Sequence, residues 1–355
     1  MVHLLLLFPI FTVLFAPKNK KLFVRLAFFE LFLFAALRYQ LGNDYTSYYR
    51  HYLTIQRGGN PFRMEALFTA LCRIMPSYYW LVAFTSLIYI SALYYLVNRN
   101  IDKKYIWSSF ALLLLNPYIF LMDLSAMRQC LAISIFIIAV DFACDRKLIP
   151  YMALIITAAA IHTSAILLIP IYWYLNIKKF NKTAVILVVC LLAVMLINEN
   201  LFNNTIGWVL RLLEGRTSWS YSDYLEKGDQ NTLRAMLLSS ISLIYILLNL
   251  PHIQGKAFVF AKLWLLAVAL NMLGYRLSML TRIEMYFNVF SIVAFPLIWH
   301  QARNRKFFKS SLMNTTNRIL LPGLMIVVLM LRYYSFFTNP LWEPFREYHT
   351  VLSVI

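Results

Sequence analysis

Charge is what this sequence has least of. Asp, Glu, Lys and Arg make up 14% of 355 residues, against 61% apolar, and the mean hydropathy is +0.66. A soluble globular domain carries about 25% charged residues, so that class is excluded. Glycine and proline are also scarce, nine and twelve in all, too few for linkers or low-complexity tracts, and no long-period repeat is present. Acids number only 15 against 33 bases, a net charge of +18. In a soluble protein that excess would suggest nucleic acid. In a membrane protein it reflects Lys and Arg collecting in cytoplasmic loops, so no nucleic-acid partner is expected. The four cysteines, Cys72, Cys130, Cys144 and Cys190, lack metal-ligand spacing and read as small hydrophobes. G-x-x-x-x-G-K-[ST], G-x-G-x-x-G and H-E-x-x-H are all missing, so neither a cofactor nor a metal is expected.

What remains is a stack of apolar runs of roughly 15–20 residues, the length that crosses a bilayer as helix. The opening "MVHLLLLFPIFTVLFAPKNKK" has an apolar centre, no cationic stretch before it and no small-x-small cleavage site, and reads as a short first span. Six cationic breaks interrupt the runs: 18–21, 98–104, 144–148, 176–182, 252–256 and 300–310. Placing all six in the cytoplasm gives spans near 2–16, 22–37, 78–97, 105–121, 127–143, 149–161, 164–177, 183–198, 234–251, 257–274, 285–300 and 317–334. The expected fold is therefore all-α and polytopic: one integral membrane domain, 1–355, with about twelve transmembrane helices and both termini outside. Its outer parts are the loops 38–77, 199–233 and 275–284 and the tail 335–355. The stretch 149–177 has cationic flanks that belong on one side, which predicts two short helices turning at His162. Each arm, about 13 residues or roughly 20 Å, is short for a full crossing.

On this topology 13 of 14 lysines are cytoplasmic, whereas the outer side carries 13 arginines and only Lys227. Lysine anchors a loop by charge alone. Arginine offers a planar fork that grips phosphate or carboxylate in two places, so the outer face reads as built to hold an anion. Arg128, Arg276 and Arg282 matter most, because they sit at or inside the ends of apolar runs. The competing reading has them snorkelling to headgroups, or pairing with Asp123 and Glu284. Asp44 reads as a loop carboxylate paired with Arg38 or Arg50, or as a functional group of the outer face. Tyr45, Tyr48 and Tyr49 read as interfacial belt residues or as rings that stack on sugars. His162 is a satisfied polar residue at a tight turn, or a base at an outer hairpin tip. Arg216 adds a further cation in the long outer loop 199–233.

The set R-x-x-x-G-x-D-Y-x-x-Y (Arg38, Gly42, Asp44, Tyr45, Tyr48), R-Q (Arg128, Gln129), H-x-S-A (His162, Ser164, Ala165) and R-x-x-x-Y-F (Arg282, Tyr286, Phe287) resembles the EpsG family, from about residue 35 to the end. These are Wzy-type polymerases of O-antigen and exopolysaccharide. The resemblance implies a GT-C-like glycosyltransferase of the inner membrane, with its active site facing the periplasm. Its partners would be undecaprenyl-pyrophosphate-linked oligosaccharides and membrane lipid, with a chain-length regulator and a flippase besides. Arg128 and Arg282 would serve the leaving pyrophosphate, and His162 or Asp44, with Glu284 third, would take the acceptor proton. Arg38, Tyr45, Tyr48, Gln129, Arg216, Arg276, Glu284 and Tyr286 would bind substrate. Other classes fit the hydropathy too: a lipid-linked glycan flippase or transporter, an O-antigen ligase, a polyprenyl-phosphate-sugar transferase or, more distantly, an acyltransferase. A transporter would place its polar residues near the midplane and often repeat its halves. Here the charge gathers at one rim.

Overall fold

The computed structural model describes residues 2–14, 20–60, 64–178, 198, 232–274 and 279–353. The chain packs as two compact units: Met1–Asn176 with Ile292–Leu297 and Ile326–Ile355, and Ile177–Ser291 with Ile298–Met325. The first unit holds α1 (Leu7–Leu14), α2 (Lys20–Ala36), α3 (Tyr45–Gln56), α4 (Ala66–Ile74), α5 (Tyr78–Asn100), α6 (Ile106–Leu115), α7 (Phe120–Ser125), α8 (Met127–Cys144), α9 (Leu148–Ala159) and α10 (Ile171–Asn176). The second holds α11 (Thr232–Asn249), α12 (Lys256–Leu273) and α13 (Met279–Asn288). Residues of α14 (Ser291–Asn304) and α15 (Ser311–Thr338) are divided between the two units.

Among the described residues, four helices are long and apolar enough to cross a membrane: α5, α8, α12 and α15. A fifth span forms if Leu280–Asn288 and Ser291–Asn304, bent by 51° to each other, count as one. The expectation of about twelve came from counting apolar runs, and several of those runs are broken. The run at 105–121 breaks at Asn116–Pro117 into α6 and α7, since proline disfavours helix in the residue before it. The run at 22–37 gives the 17-residue α2, and the one at 183–198 lies almost wholly outside the described residues.

The turn at His162 is present. In one continuous helix, residues 151 and 168 would stand about 25 Å apart at 1.5 Å per residue. Instead the Tyr151 hydroxyl donates to the Leu168 carbonyl at 2.5 Å, and the Tyr151 and Tyr172 rings lie 5.4 Å apart. The outgoing arm α9 has 12 residues, roughly 18 Å, short of the ~30 Å hydrocarbon core. The returning arm is a 3₁₀ turn, Thr163–Leu168, followed by α10.

These helices sort the loops of the first unit onto two ends. At one end Arg99 Nε lies 3.4 Å from Asp141 Oδ2, and the Asn176 amide donates to the Ala143 carbonyl at 3.2 Å. Those contacts bring Arg99 of the break 98–104 and Asn176 to the end of α8 that leads into the break 144–148. At the other end lie the segment 38–77, the α7–α8 junction, the tip at His162 and the C-terminal tail. There β1 (Arg38–Tyr39) pairs antiparallel with β2 (His349–Thr350). Tyr348 stacks on Phe34 with centroids 4.6 Å apart, and its hydroxyl donates to the Phe34 carbonyl at 2.8 Å.

The segment 38–77, expected as a loop between spans, contains two amphipathic helices. In α3 the buried positions are Tyr45, Tyr48, Tyr52 and Ile55, spaced three, four and three, which is one helical face. That face packs with Met64, Phe68, Cys72, Tyr78 and Leu81, and with Met127 and Leu131 of α8, into one apolar cluster. Polar groups pin its edges: Tyr52 donates to the Met75 carbonyl at 2.8 Å, Gln56 to the Cys72 carbonyl at 2.7 Å and Tyr78 to the Tyr45 carbonyl at 2.9 Å. The tyrosines of the opening motif thus build an apolar floor at this end of the unit.

In the second unit, paired amides join the helices. Ser239 donates to Asn271 at 2.7 Å, and buried Asn249 and Asn317 exchange hydrogen bonds of 2.7 and 2.8 Å. Asn317 sits in a five-residue π turn of α15, Thr316–Leu320, and the Trp299 indole donates to the Arg318 carbonyl there at 3.0 Å. Among lipid tails, which drive no hydrophobic association, such polar contacts hold helices together.

Two glycines with positive φ separate backbone strain from packing. Gly42 (φ +97°) has no room for a methyl group: a Cβ would lie 2.9 Å from Ser125 Cβ and Oγ and 3.2 Å from Phe345 Cε1. Gly58 (φ +88°) has open space there. Gly58→Ala is expected to cost only the left-handed backbone term, about 1–2 kcal/mol. Gly42→Ala adds the clash, and should lower thermal stability in detergent well beyond Gly58→Ala. Equal melting temperatures for the two variants would contradict this packing of the tail on the loop.

Candidate functional site

The end of the first unit that carries the segment 38–77 converges on Glu65, the residue that precedes α4. Arg128, in the first turn of α8, donates from Nη1 to Glu65 Oε2 at 2.6 Å. The backbone N–H and hydroxyl of Thr163, at the hairpin tip, donate to Glu65 Oε1 at 3.0 and 3.1 Å. Beside them His162 Nδ1 stands 3.5 Å from Oε1, an ion-pair contact rather than a hydrogen bond. Next to this carboxylate the Leu67 N–H donates to the Ala160 carbonyl at 3.1 Å, so the tip docks through backbone as well. From α3, the Tyr48 hydroxyl accepts from Arg128 Nε at 3.4 Å, with the guanidinium 5.8 Å from the ring centre.

Local structure explains why these groups meet. The tyrosine face of α3 lies against α4, which fixes the turn that carries Glu65. The break at Ala126 starts α8 with Arg128 in its first turn, where the unpaired N–H groups and the helix dipole already favour an anion. The hairpin carries His162 and Thr163 to the same level.

Electrostatics keep Glu65 ionised. Burial favours its neutral form, but His162, the Thr163 amide and Arg128 together outweigh burial and hold the carboxyl well below the usual range. For Tyr48 burial wins: it raises the phenol above its ordinary value, with Asp44 adding to the rise and Arg128 opposing it. His51, also near Arg128, is shifted down by burial and by that guanidinium.

The other expected site residues are placed as follows. Asp44 precedes α3, is half-buried, and forms no hydrogen bond from its carboxylate and no ion pair among the described residues; the pairing with Arg38 or Arg50 is not made. Arg38 is enclosed, 1% exposed, and donates to the Ala35 carbonyl, to Ser86 Oγ at 2.7 Å and to the Leu124 carbonyl at 3.0 Å. Tyr45 and Gln129 are buried in the same unit. Buried Asp123 accepts from Tyr89. On α13 of the second unit, Arg282 is exposed, while Glu284 and Tyr286 are buried. Arg216 and Arg276 lie outside the described residues. Glu65 is the residue that sequence reasoning passed over. A signal existed: Asp44 and Glu65 are the two acids of segment 38–77, so a half-buried arginine at that rim had few carboxylates to choose from. Among the described residues, no three His, Cys, Asp or Glu side chains are grouped to hold a metal.

The sign of the Glu65 shift fixes a pH window. Its folded pKa is depressed, so its stabilisation is fully present above the unfolded value of about 4.3, and is lost as pH falls through the folded value. Protection of the Thr163 amide from hydrogen exchange, corrected for intrinsic rate, should therefore be flat from about pH 5 to 8. A drop in protection between about pH 8 and 6 would mean that Glu65 is not ionised as described.

The motifs that meet at this rim belong to one profile. Residues 21–349, nearly the whole chain, match the EpsG family. No curated protein and no solved structure matches the chain. The segment that builds the floor, the arginine that opens α8 and the histidine at the hairpin tip all fall within the matched range, and the chain belongs to the EpsG family.

Proposed function

We propose that the protein is a polysaccharide polymerase, a glycosyltransferase that joins oligosaccharide repeat units carried on undecaprenyl pyrophosphate at the periplasmic face of the inner membrane. The observation that carries this reading is Arg128. Its guanidinium opens a spanning helix, is half-buried at a side-chain exposure of 26%, and already grips a carboxylate. A group that holds one oxyanion beside a helix N-terminus can hold the phosphates of a lipid carrier that emerges from the bilayer. The family supports the same class of activity.

In the reaction, an acceptor hydroxyl oxygen attacks the anomeric carbon of the donor. The bond from that carbon to the phosphate oxygen breaks, and its electron pair leaves with the lipid pyrophosphate. Charge-assisted donors stabilise the leaving group, each worth roughly 1.5–3 kcal/mol, a role assigned to Arg128, Arg276 and Arg282. Pyrophosphate needs no general acid, but the acceptor hydroxyl needs a base. His162, beside Arg128, is assigned that role, with Asp44 the alternative. The GT-C-like arrangement of about twelve crossings and the outward orientation of the Glu65 end belong to the same proposal.

The test is reconstitution. Purified protein given an undecaprenyl-pyrophosphate-linked repeat unit should produce a ladder of polymer, and should still do so after chelation with EDTA. Arg128→Lys keeps the charge and loses the fork, so polymer should fall roughly 10–100-fold while single units remain on lipid. His162→Ala should abolish turnover where Asp44→Asn does not. Absence of any ladder from the wild type would contradict the polymerase reading. Restoration of EDTA-treated protein by magnesium or manganese would assign the acids to a metal.

A further inference from the structure

The contact between Glu65 and His162 assigns a tautomer. His162 Nδ1 is buried and has no hydrogen-bond partner among the described residues, and Glu65 Oε1 stands 3.5 Å from it. The side chain as a whole is 19% exposed, so its exposed surface belongs to atoms other than Nδ1. A neutral imidazole carries one N–H and one lone pair. A lone pair on Nδ1 would face an ionised carboxylate and be repelled, whereas an N–H there is attracted. We propose that Glu65 is a positioning residue: it holds His162 in the Nδ1–H tautomer, docks its backbone through Thr163, and thereby presents the Nε2 lone pair as the proton acceptor. This rests on the reading of His162 as the base for the acceptor hydroxyl.

The arrangement links the two tasks of the site through one carboxylate. Oε2 takes Arg128, which would hold the leaving group, while Oε1 takes Thr163 and faces the imidazole. The distance between base and anion holder is thus set by a rigid two-oxygen group. Among the described residues, the charged and titratable neighbours on the packed elements include Arg128 of α8, Tyr48 and His51 of α3 with Asp44 before it, and Cys72 of α4.

The test needs no glycan. Protein labelled with ¹⁵N-histidine carries six imidazoles, and the His162 signals are assigned by their loss in His162→Gln. At a pH where His162 is neutral, the wild type should show mainly Nδ1–H. Glu65→Gln can keep its oxygen on Arg128 only by placing its NH₂ where Oε1 was, so it gives up the two bonds accepted from Thr163 and faces Nδ1 as a donor. The main species should then become Nε2–H, which cannot accept the proton. Polymerisation of the lipid-linked repeat unit by this variant should fall on the order of 100-fold or more with KM little changed. Thr163→Val, which removes one bond to Oε1 and leaves the imidazole contact, should keep the wild-type tautomer. Nε2–H as the main species in the wild type overturns the proposal even if Glu65→Gln does not fold. Wild-type polymerisation by a folded Glu65→Gln overturns it too, while leaving the polymerase reading intact. A wild type that shows Nδ1–H and makes no ladder retains the tautomer and refutes the base role.

Discussion

One carboxylate holds together the end of the first unit where α3, α8 and the hairpin tip meet. Glu65 ties the N-terminus of α8, through Arg128, to the tip of a hairpin whose arms are not anchored by a full-length span. Arg128 in turn reaches Tyr48 on α3. Without Glu65, a half-buried guanidinium would lose its counter-charge and the tip would lose two hydrogen bonds. The pair lies between two regimes, with side-chain exposures of 26% and 13%. Exposed pairs contribute up to about 1 kcal/mol, and breaking a buried one costs about 3–5 kcal/mol, so a value of about 1–3 kcal/mol is reasonable here. That is small against the apolar cluster beneath, but it decides where Arg128 and His162 stand.

The same residues serve packing and chemistry. The tyrosines of α3 form a rigid floor, and only their edge, at Tyr48, takes part in the charged layer above. Arg38 shows the opposite outcome. Its guanidinium donates to the carbonyls of Ala35 and Leu124 and to the Ser86 hydroxyl, next to the strand pair that anchors the tail. An arginine enclosed in this way organises the loop rather than reaching into solvent. The two arginines therefore divide by partner: Arg38 donates to carbonyls and a hydroxyl, and Arg128 to the carboxylate of Glu65.

What the sequence made legible was the part that physics encodes locally. Apolar runs and cationic breaks located α5, α8, α12 and α15, and the matching flanks of 149–177 implied the turn at His162. The heptad-like spacing of Tyr45, Tyr48, Tyr52 and Ile55 was available as a helix signal, but aromatic residues near a membrane also suit an interfacial belt. Long-range pairings were not legible. Glu65 is 63 residues from Arg128 and 98 from Thr163, and Arg38 pairs with Thr350; no periodicity carries such partner choices. Asp123 and Glu284 were equally plausible partners for Arg128 until the fold placed Asp123 on Tyr89.

The central claim is that Glu65 and Arg128 act as one unit that fixes the hairpin tip. A double-mutant cycle measures this directly: Glu65→Gln and Arg128→Gln, alone and together, followed by unfolding free energy in a membrane mimetic. The account predicts a coupling of about 1–3 kcal/mol, with the double variant less destabilised than the sum of the singles. Additive losses, to within about 0.3–0.5 kcal/mol, would contradict it.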